Sequence, residues 1–202
     1  FSMRAHSTGQ HSIKGRSAVV VDLTAGQLLY EQAATTRYPE ASLTKLMTAM
    51  VAADLAPMET SITVSALATQ VEPNHMGLST GEQLSLRELL DGLLLNSGND
   101  AAEAIAMGIV DRTHFVDFMN QKAAALHLHG THFTNPSGLD DPNHYSTASD
   151  LALVAGEAEH AADDRGGTLA PLVNLLERLL LSGFHIAPHS QFRVIDDRRQ
   201  DI

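Results

Sequence analysis

The spacing of hydrophobic and polar positions changes several times along the chain. Residues 1–16, FSMRAHSTGQHSIKGR, are polar and without period, which predicts a flexible lead-in. From Ser17 the runs SAVVVD and QLLYE read as strands, separated by Leu23, Thr24, Ala25 and Gly26. They predict an antiparallel hairpin in which Gly26 takes the turn dihedral that other residues avoid. Beyond TTRYPEA, where Pro39 disfavours helix at Tyr38, the pattern becomes helical over 42–55. Further helices are predicted over 65–71, 86–95, 100–107, 114–126 and 148–155. The loops between them, such as EPNHMGLSTGE and NPSGLDDPNH, carry the Gly, Pro, Asn and Asp of turns. The pattern changes again near residue 156: the remaining tail has no lysine, five of the ten arginines, and an isolated leucine-rich helical pattern, LAPLVNLLERLLL. The division is therefore a lead-in over 1–16, a body over 17–155 and a divergent or truncated tail over 156–202. Truncation and a shifted reading frame both fit such a tail.

The pattern thus predicts a hairpin followed by a mostly helical middle. With 202 residues, 44% of them hydrophobic, the chain is long enough for one sizeable domain or two lobes around a shared core. Its formal charge of -11 repels nucleic acid and anionic membrane surfaces. The absence of cysteine excludes disulfides, thiolate catalysis and Cys-based metal sites. No run reaches the roughly 18 apolar residues of a transmembrane segment. The chain opens on Phe1 without a basic-then-apolar leader, as a processed or trimmed form would.

Candidate chemistry begins with ASLTKLMTAMVAADL, an almost wholly apolar helix that carries Lys45, one of three lysines in the chain. Burial disfavours an ammonium and can turn a lysine into a neutral amine base. Ser42 lies three positions earlier, one helical turn away on the same face, where a base could activate its hydroxyl. Two readings stand at this point, because Ser42 can equally cap the helix while Lys45 snorkels to water. With 15 serines and three lysines, chance alone gives roughly 0.2 occurrences of S-x-x-K. A second element, NSGND, sets Ser97 and Asn99 in a short break between helices, either facing a site or capping the next helix.

Taken together, PEASLTKLMTAMVA, MGLSTGEQLSLRELLDGLLLNSGNDAAEAIA and THFTNPSGLDDPNHYSTASDLALVA resemble the serine D-alanyl-D-alanine carboxypeptidases, the low-molecular-mass penicillin-binding proteins of peptidase family S11. The resemblance starts near Ser17, includes VVVDLTAGQLLYEQAA, and extends to about Ala155. It implies an α+β, β-lactamase/DD-peptidase-like fold for 17–155, a helical lobe packed on an antiparallel sheet that is incomplete without the closing strands, and an extracytoplasmic enzyme of the cell envelope or periplasm. The implied substrate is a peptidoglycan stem peptide, β-lactam antibiotics are the implied covalent inhibitors, and no cofactor is implied. By motif position Ser42 is the nucleophile and Lys45 its general base. Ser97 relays a proton to the leaving amine, and Asn99 holds a substrate carbonyl and supports Lys45. The backbone N–H of Ser42 supplies one oxyanion donor.

The family's third motif, K-T-G, is absent, since no lysine follows Lys122. The fragments RGGT (165–168) and LSGF (181–184) are poor substitutes. The chain can therefore be an inactive relative, a non-catalytic envelope protein that binds muropeptides or a partner. Two enzymes of the same superfamily, a class A β-lactamase or a peptidoglycan endopeptidase, are the remaining alternatives, although no glutamate motif for deacylation is evident.

The cluster HLHGTH offers His127, His129 and His132, but the first two should point apart on a helix, which argues against a metal site. The segments NPSGL and HYSTASD read as structural, with Thr147 capping a helix ahead of Asp150. Arg37 and Glu40, beside Ser42, read as solvated surface charges.

Overall fold

The computed structural model describes residues 14–22, 25–71, 73–164 and 192–196. The predicted hairpin forms, with β1 (Ala18–Asp22) antiparallel to β2 (Gln27–Gln32) and Asp22 opposite Gln27. Gly26 takes φ 61°, and the Asp22 carboxylate accepts the Ala25 N–H at 3.0 Å. A bulge between Val20 and Val21 re-registers the pair.

A short 3-10 turn, Ala41–Leu43, leads into α1 (Thr44–Leu55), so Ser42, the first residue of the predicted helix, stands instead in the tighter turn just ahead of it. Every residue from Thr44 to Ala52 is buried. A helix apolar on all sides belongs at the centre of a lobe, and α1 is in contact with every other α-helix of the described residues. The helix predicted over 65–71 is reduced to a 3-10 turn, Ala68–Gln70. The Ser65 hydroxyl accepts the Ala68 N–H there, Val71 is already extended, and Pro73 follows closely, so no α-helix propagates.

On either side of that region lie β3 (Ser61–Thr63) and β4 (Gln83–Ser85), an antiparallel ribbon with Ile62 opposite Leu84. Three residues are too few to show an alternating pattern, so neither strand was predicted. The boundaries of α2 (Leu86–Leu95) match the prediction, because Ser85 and Glu88 form a reciprocal capping box at its start. After a three-residue break comes α3 (Asn99–Ile109), then α4 (Arg112–Ala125), whose first turn is capped by the Asp111 carboxylate.

Residues 126–147 form no helix and return across the lobe through bridges pairing His132 with Tyr145 and Tyr38 with Ser146. The Thr147 hydroxyl then accepts the Asp150 N–H at 3.1 Å and starts α5 (Ala148–Asp164), as its sequence suggested. This helix runs on past residue 156, where the composition changes. The last described strand, β5 (Phe192–Asp196), pairs antiparallel with β1 and gives the sheet order β2-β1-β5. Val19 of β1 and Leu46, Leu93, Phe115 and Val154 of the helices share one buried cluster, which makes sheet and lobe a single α+β unit. The leucine-rich pattern and the RGGT and LSGF fragments lie outside the described residues, as do residues 1–13.

Candidate active site

The site is built where the turn before α1 meets two loops. Ala41 adopts φ 50° and Gly138 φ 87°, and a Cβ added to Gly138 would lie 1.9 Å from the Ala41 carbonyl oxygen. Only glycine lets these two backbones approach so closely. Asn135 shapes the loop from inside: its Oδ1 accepts the N–H groups of Ser137 (3.1 Å), Gly138 (2.7 Å) and Leu139 (3.1 Å). That folding turns the Ser137 carbonyl toward α1.

Lys45 receives it. Its ammonium donates to the Ser137 carbonyl at 2.7 Å, to Asn99 Oδ1 at 2.8 Å and to Ser42 Oγ at 3.3 Å. Three N–H groups thus meet three acceptors. With 1% of its surface exposed, Lys45 does not snorkel, and Ser42 caps neither the 3-10 turn nor α1. Desolvation lowers the Lys45 pKa from 10.5 to about 8.

Ser97 approaches Ser42 from the break between α2 and α3 and donates to its Oγ at 3.0 Å. To do so Ser97 holds φ 54°, a left-handed conformation that costs about 1–2 kcal/mol for such a residue. The surrounding loop keeps it there. Asn99 N–H donates to the Asn74 carbonyl at 2.8 Å, and the Asp100 carboxylate accepts the N–H groups of Met76, Gly77 and Leu78. Burial pushes the Asp100 carboxyl up, but the backbone N–H groups of Met76, Leu78, Gly77 and Ala101 outweigh it and leave the pKa below its ordinary 3.8. The predicted residues Ser42, Lys45, Ser97 and Asn99 are therefore brought together around one hydroxyl. An amine that loses its proton beside a serine hydroxyl is chemically equipped to activate it.

Sequence reasoning missed the Ser137 carbonyl, because a backbone acceptor has no residue signature. The Asn-Pro-Ser-Gly turn is its one trace, and by sequence that turn reads as structural. Glu40 corrects another expectation: it is buried, 5% exposed, and lies beside the equally buried His144. Arg37 is the outward member of that pair, donating to the His129 carbonyl at 3.3 Å and stacking on Tyr145. The histidine expectation needs revising too. His127 and His129 lie past the end of α4, His127 at φ 57°, and their ring centroids are 6.1 Å apart instead of diverging along a helix. Among the described residues no group of three His, Asp or Glu side chains is arranged to hold a metal ion. None of their helices is long and apolar enough to cross a membrane.

A sequence profile described as D-alanyl-D-alanine carboxypeptidase matches residues 4–165. The D-alanyl-D-alanine carboxypeptidase DacB2 of Mycobacterium tuberculosis is 41% identical over 138 residues, 67% of this chain and 47% of that protein. DacF of Bacillus subtilis is 34% identical over 156 residues, 74% of this chain and 40% of its own length. Among solved structures, a D-alanyl-D-alanine carboxypeptidase from M. tuberculosis H37Rv superposes with a TM-score of 0.75 at 34% identity, covering 85% of this chain and 64% of that one. Penicillin binding protein 5 from Haemophilus influenzae gives 0.74 at 30% identity, covering 78% and 48%. The chain spans under half the length of these curated relatives. With the profile covering most of its length, the chain belongs to the D-alanyl-D-alanine carboxypeptidase family, peptidase family S11.

Proposed function

We propose that this chain is a serine D-alanyl-D-alanine carboxypeptidase acting on peptidoglycan stem peptides. The observation that carries the reading is the convergence of Lys45 Nζ at 3.3 Å and Ser97 Oγ at 3.0 Å on one oxygen, Ser42 Oγ. Neutral Lys45 takes the Ser42 proton as the hydroxyl oxygen attacks the carbonyl carbon between the two terminal D-alanines. The Ser42 N–H, at a helix start, stabilises the oxyanion. When the C–N bond breaks, the proton reaches the departing amine through Ser97, leaving an ester on Ser42. Water hydrolyses that ester, its proton passing to Lys45 and from there to the departing Ser42 oxygen, which restores both groups. Asn99 orients Lys45 through its Oδ1 and holds a substrate carbonyl with its amide.

The same chemistry makes β-lactams covalent inhibitors that esterify Ser42. Its substrate places the protein outside the cytoplasm, in the cell envelope or periplasm. In this reading 17–155 is the transpeptidase-like domain and 156–202 a divergent tail. The alternative outcome is a non-catalytic binder of muropeptides. The separating experiment supplies a stem peptide ending in D-alanyl-D-alanine and measures free D-alanine. Release by the protein and none by Ser42→Ala is the expected result, whereas saturable peptide binding without release establishes the binder.

A further inference from the structure

A second buried polar group touches the turn that carries Ser42, and the reaction as described does not use it. His144, 3% exposed, lies between that turn and the loop of Ser137. Its Nδ1 accepts the Thr134 N–H at 3.1 Å. A backbone N–H can only donate, so Nδ1 keeps its lone pair and the ring proton sits on Nε2. Nε2 is 2.8 Å from Thr44 Oγ1, inside the first turn of α1 and next to Lys45. On the other side of the ring, Thr134 adjoins Asn135, the residue that folds the Ser137 loop.

Glu40 completes the joint. Its Oε1 lies 3.2 Å from His144 Nε2, yet it is fully buried and lacks a hydrogen-bond partner, the approach being off the bond axis. Its backbone carbonyl accepts the Leu43 N–H at 3.2 Å and closes the turn around Ser42. Ser42 Oγ accepts from Ser97 and Lys45, and Lys45 Nζ also donates to Asn99 Oδ1 and the Ser137 carbonyl, so neither Glu40 nor His144 bonds to the nucleophile or the base.

We propose that His144 and Glu40 are positioning residues for the Ser42–Lys45 pair, locking the turn that carries the nucleophile onto the loop whose Ser137 carbonyl holds the lysine. His144 is the two-ended strut, bonded to Thr134 and to Thr44. Glu40 fills the joint, and its orphaned buried oxygen favours the uncharged acid over the carboxylate. Burial pushes its carboxyl up, and the negative charge of Asp150 on α5 adds in the same direction, while His144 and Thr44 pull the other way.

The proposal rests on the reading of Ser42 and Lys45 as nucleophile and base, so its test needs a signal that survives if acylation fails. The chain has three lysines, Lys14, Lys45 and Lys122, and labelling them with carbon-13 at Cε gives a countable NMR spectrum. The Lys45 signal, identified by its loss in Lys45→Met, should titrate near pH 8. His144→Asn keeps an acceptor where Nδ1 stands but cannot reach Thr44. It should move the Lys45 midpoint by about one unit and slow penicillin acylation about tenfold. His144→Gln reaches Thr44 with its amide and should recover both values in large part. At Glu40, Ala should slow acylation and the uncharged isostere Gln should restore most of the rate. If His144→Asn fails to fold, Thr44→Val reads the same joint. A Lys45 midpoint unmoved in these variants, with only the melting temperature lowered, overturns the positioning role. Penicillin that never acylates the unaltered protein overturns the functional reading instead, and the Lys45 titration still decides the strut.

Discussion

Lys45 and Glu40 flank Ser42 in sequence, and both are buried ionisable groups, yet the fold treats them in opposite ways. The lysine finds an acceptor for each N–H, while Glu40 Oε1 finds no donor. The lysine pKa falls to about 8 and the glutamate pKa rises, both because of burial. Each is thereby pushed toward its neutral form, but only Lys45 reaches the Ser42 hydroxyl. At pH 7 a pKa near 8 leaves about a tenth of Lys45 as free amine, some three-hundredfold more than at 10.5. Burial therefore supplies the free amine, and the ring of acceptors decides where that amine is aimed.

The sharpest way to break this contrast is Lys45→Arg, which keeps the charge but cannot yield a neutral base. Penicillin acylation, followed by stopped-flow or intact mass, should fall by roughly a hundred- to ten-thousandfold. Unreduced acylation removes Lys45 from the base role. Next in size is Gly138→Ala, whose added Cβ would sit 1.9 Å from the Ala41 carbonyl at φ 87°. Chemical denaturation should show a loss on the order of 3 kcal/mol, with slowed acylation because the turn under Ser42 must shift.

The two buried groups also leave opposite marks on stability against pH. Between pH 8 and 10.5 the unfolded Lys45 still binds a proton that the folded one has released. Stability from this residue therefore rises across that window, by up to about 3 kcal/mol. Glu40 is protonated in the fold above its ordinary 4.5, so its contribution falls as pH rises from there toward its elevated folded value. Denaturation midpoints across pH, compared with Lys45→Met and Glu40→Gln, should show the two slopes with opposite signs. Matching signs would mean that one group is not held neutral. The smallest effect is expected far from the site, where Ser85→Ala removes the capping box of α2. It should cost about 1 kcal/mol in melting experiments and leave acylation unchanged.

How much of this was legible in the sequence follows from where each feature stores its information. The hairpin, α2 and the S-x-x-K pair are local: alternation, a Ser-x-x-Glu cap and a one-turn spacing are written in neighbouring residues. Ser97 and Asn99 were legible only as part of an ordered set of motifs, since either could have been an ordinary cap. What escaped depends on chain segments far apart. Ser137 reaches Lys45 through a backbone carbonyl, and β3 meets β4 over three residues each. Glu40 looked solvated because nothing near it in sequence reveals that His144 closes over it. The 65–71 helix failed for a local reason, a serine hydroxyl that caught its own backbone.

The central claim is that Ser42 is a nucleophile activated by a buried, partly neutral lysine. Intact-mass spectrometry after incubation with a penicillin tests it most directly, with digestion to locate the adduct. The account predicts one added drug mass on the peptide containing Ser42, absent in Ser42→Ala and formed faster as pH rises toward 8. No adduct at saturating drug, or an adduct that survives Ser42→Ala, contradicts it.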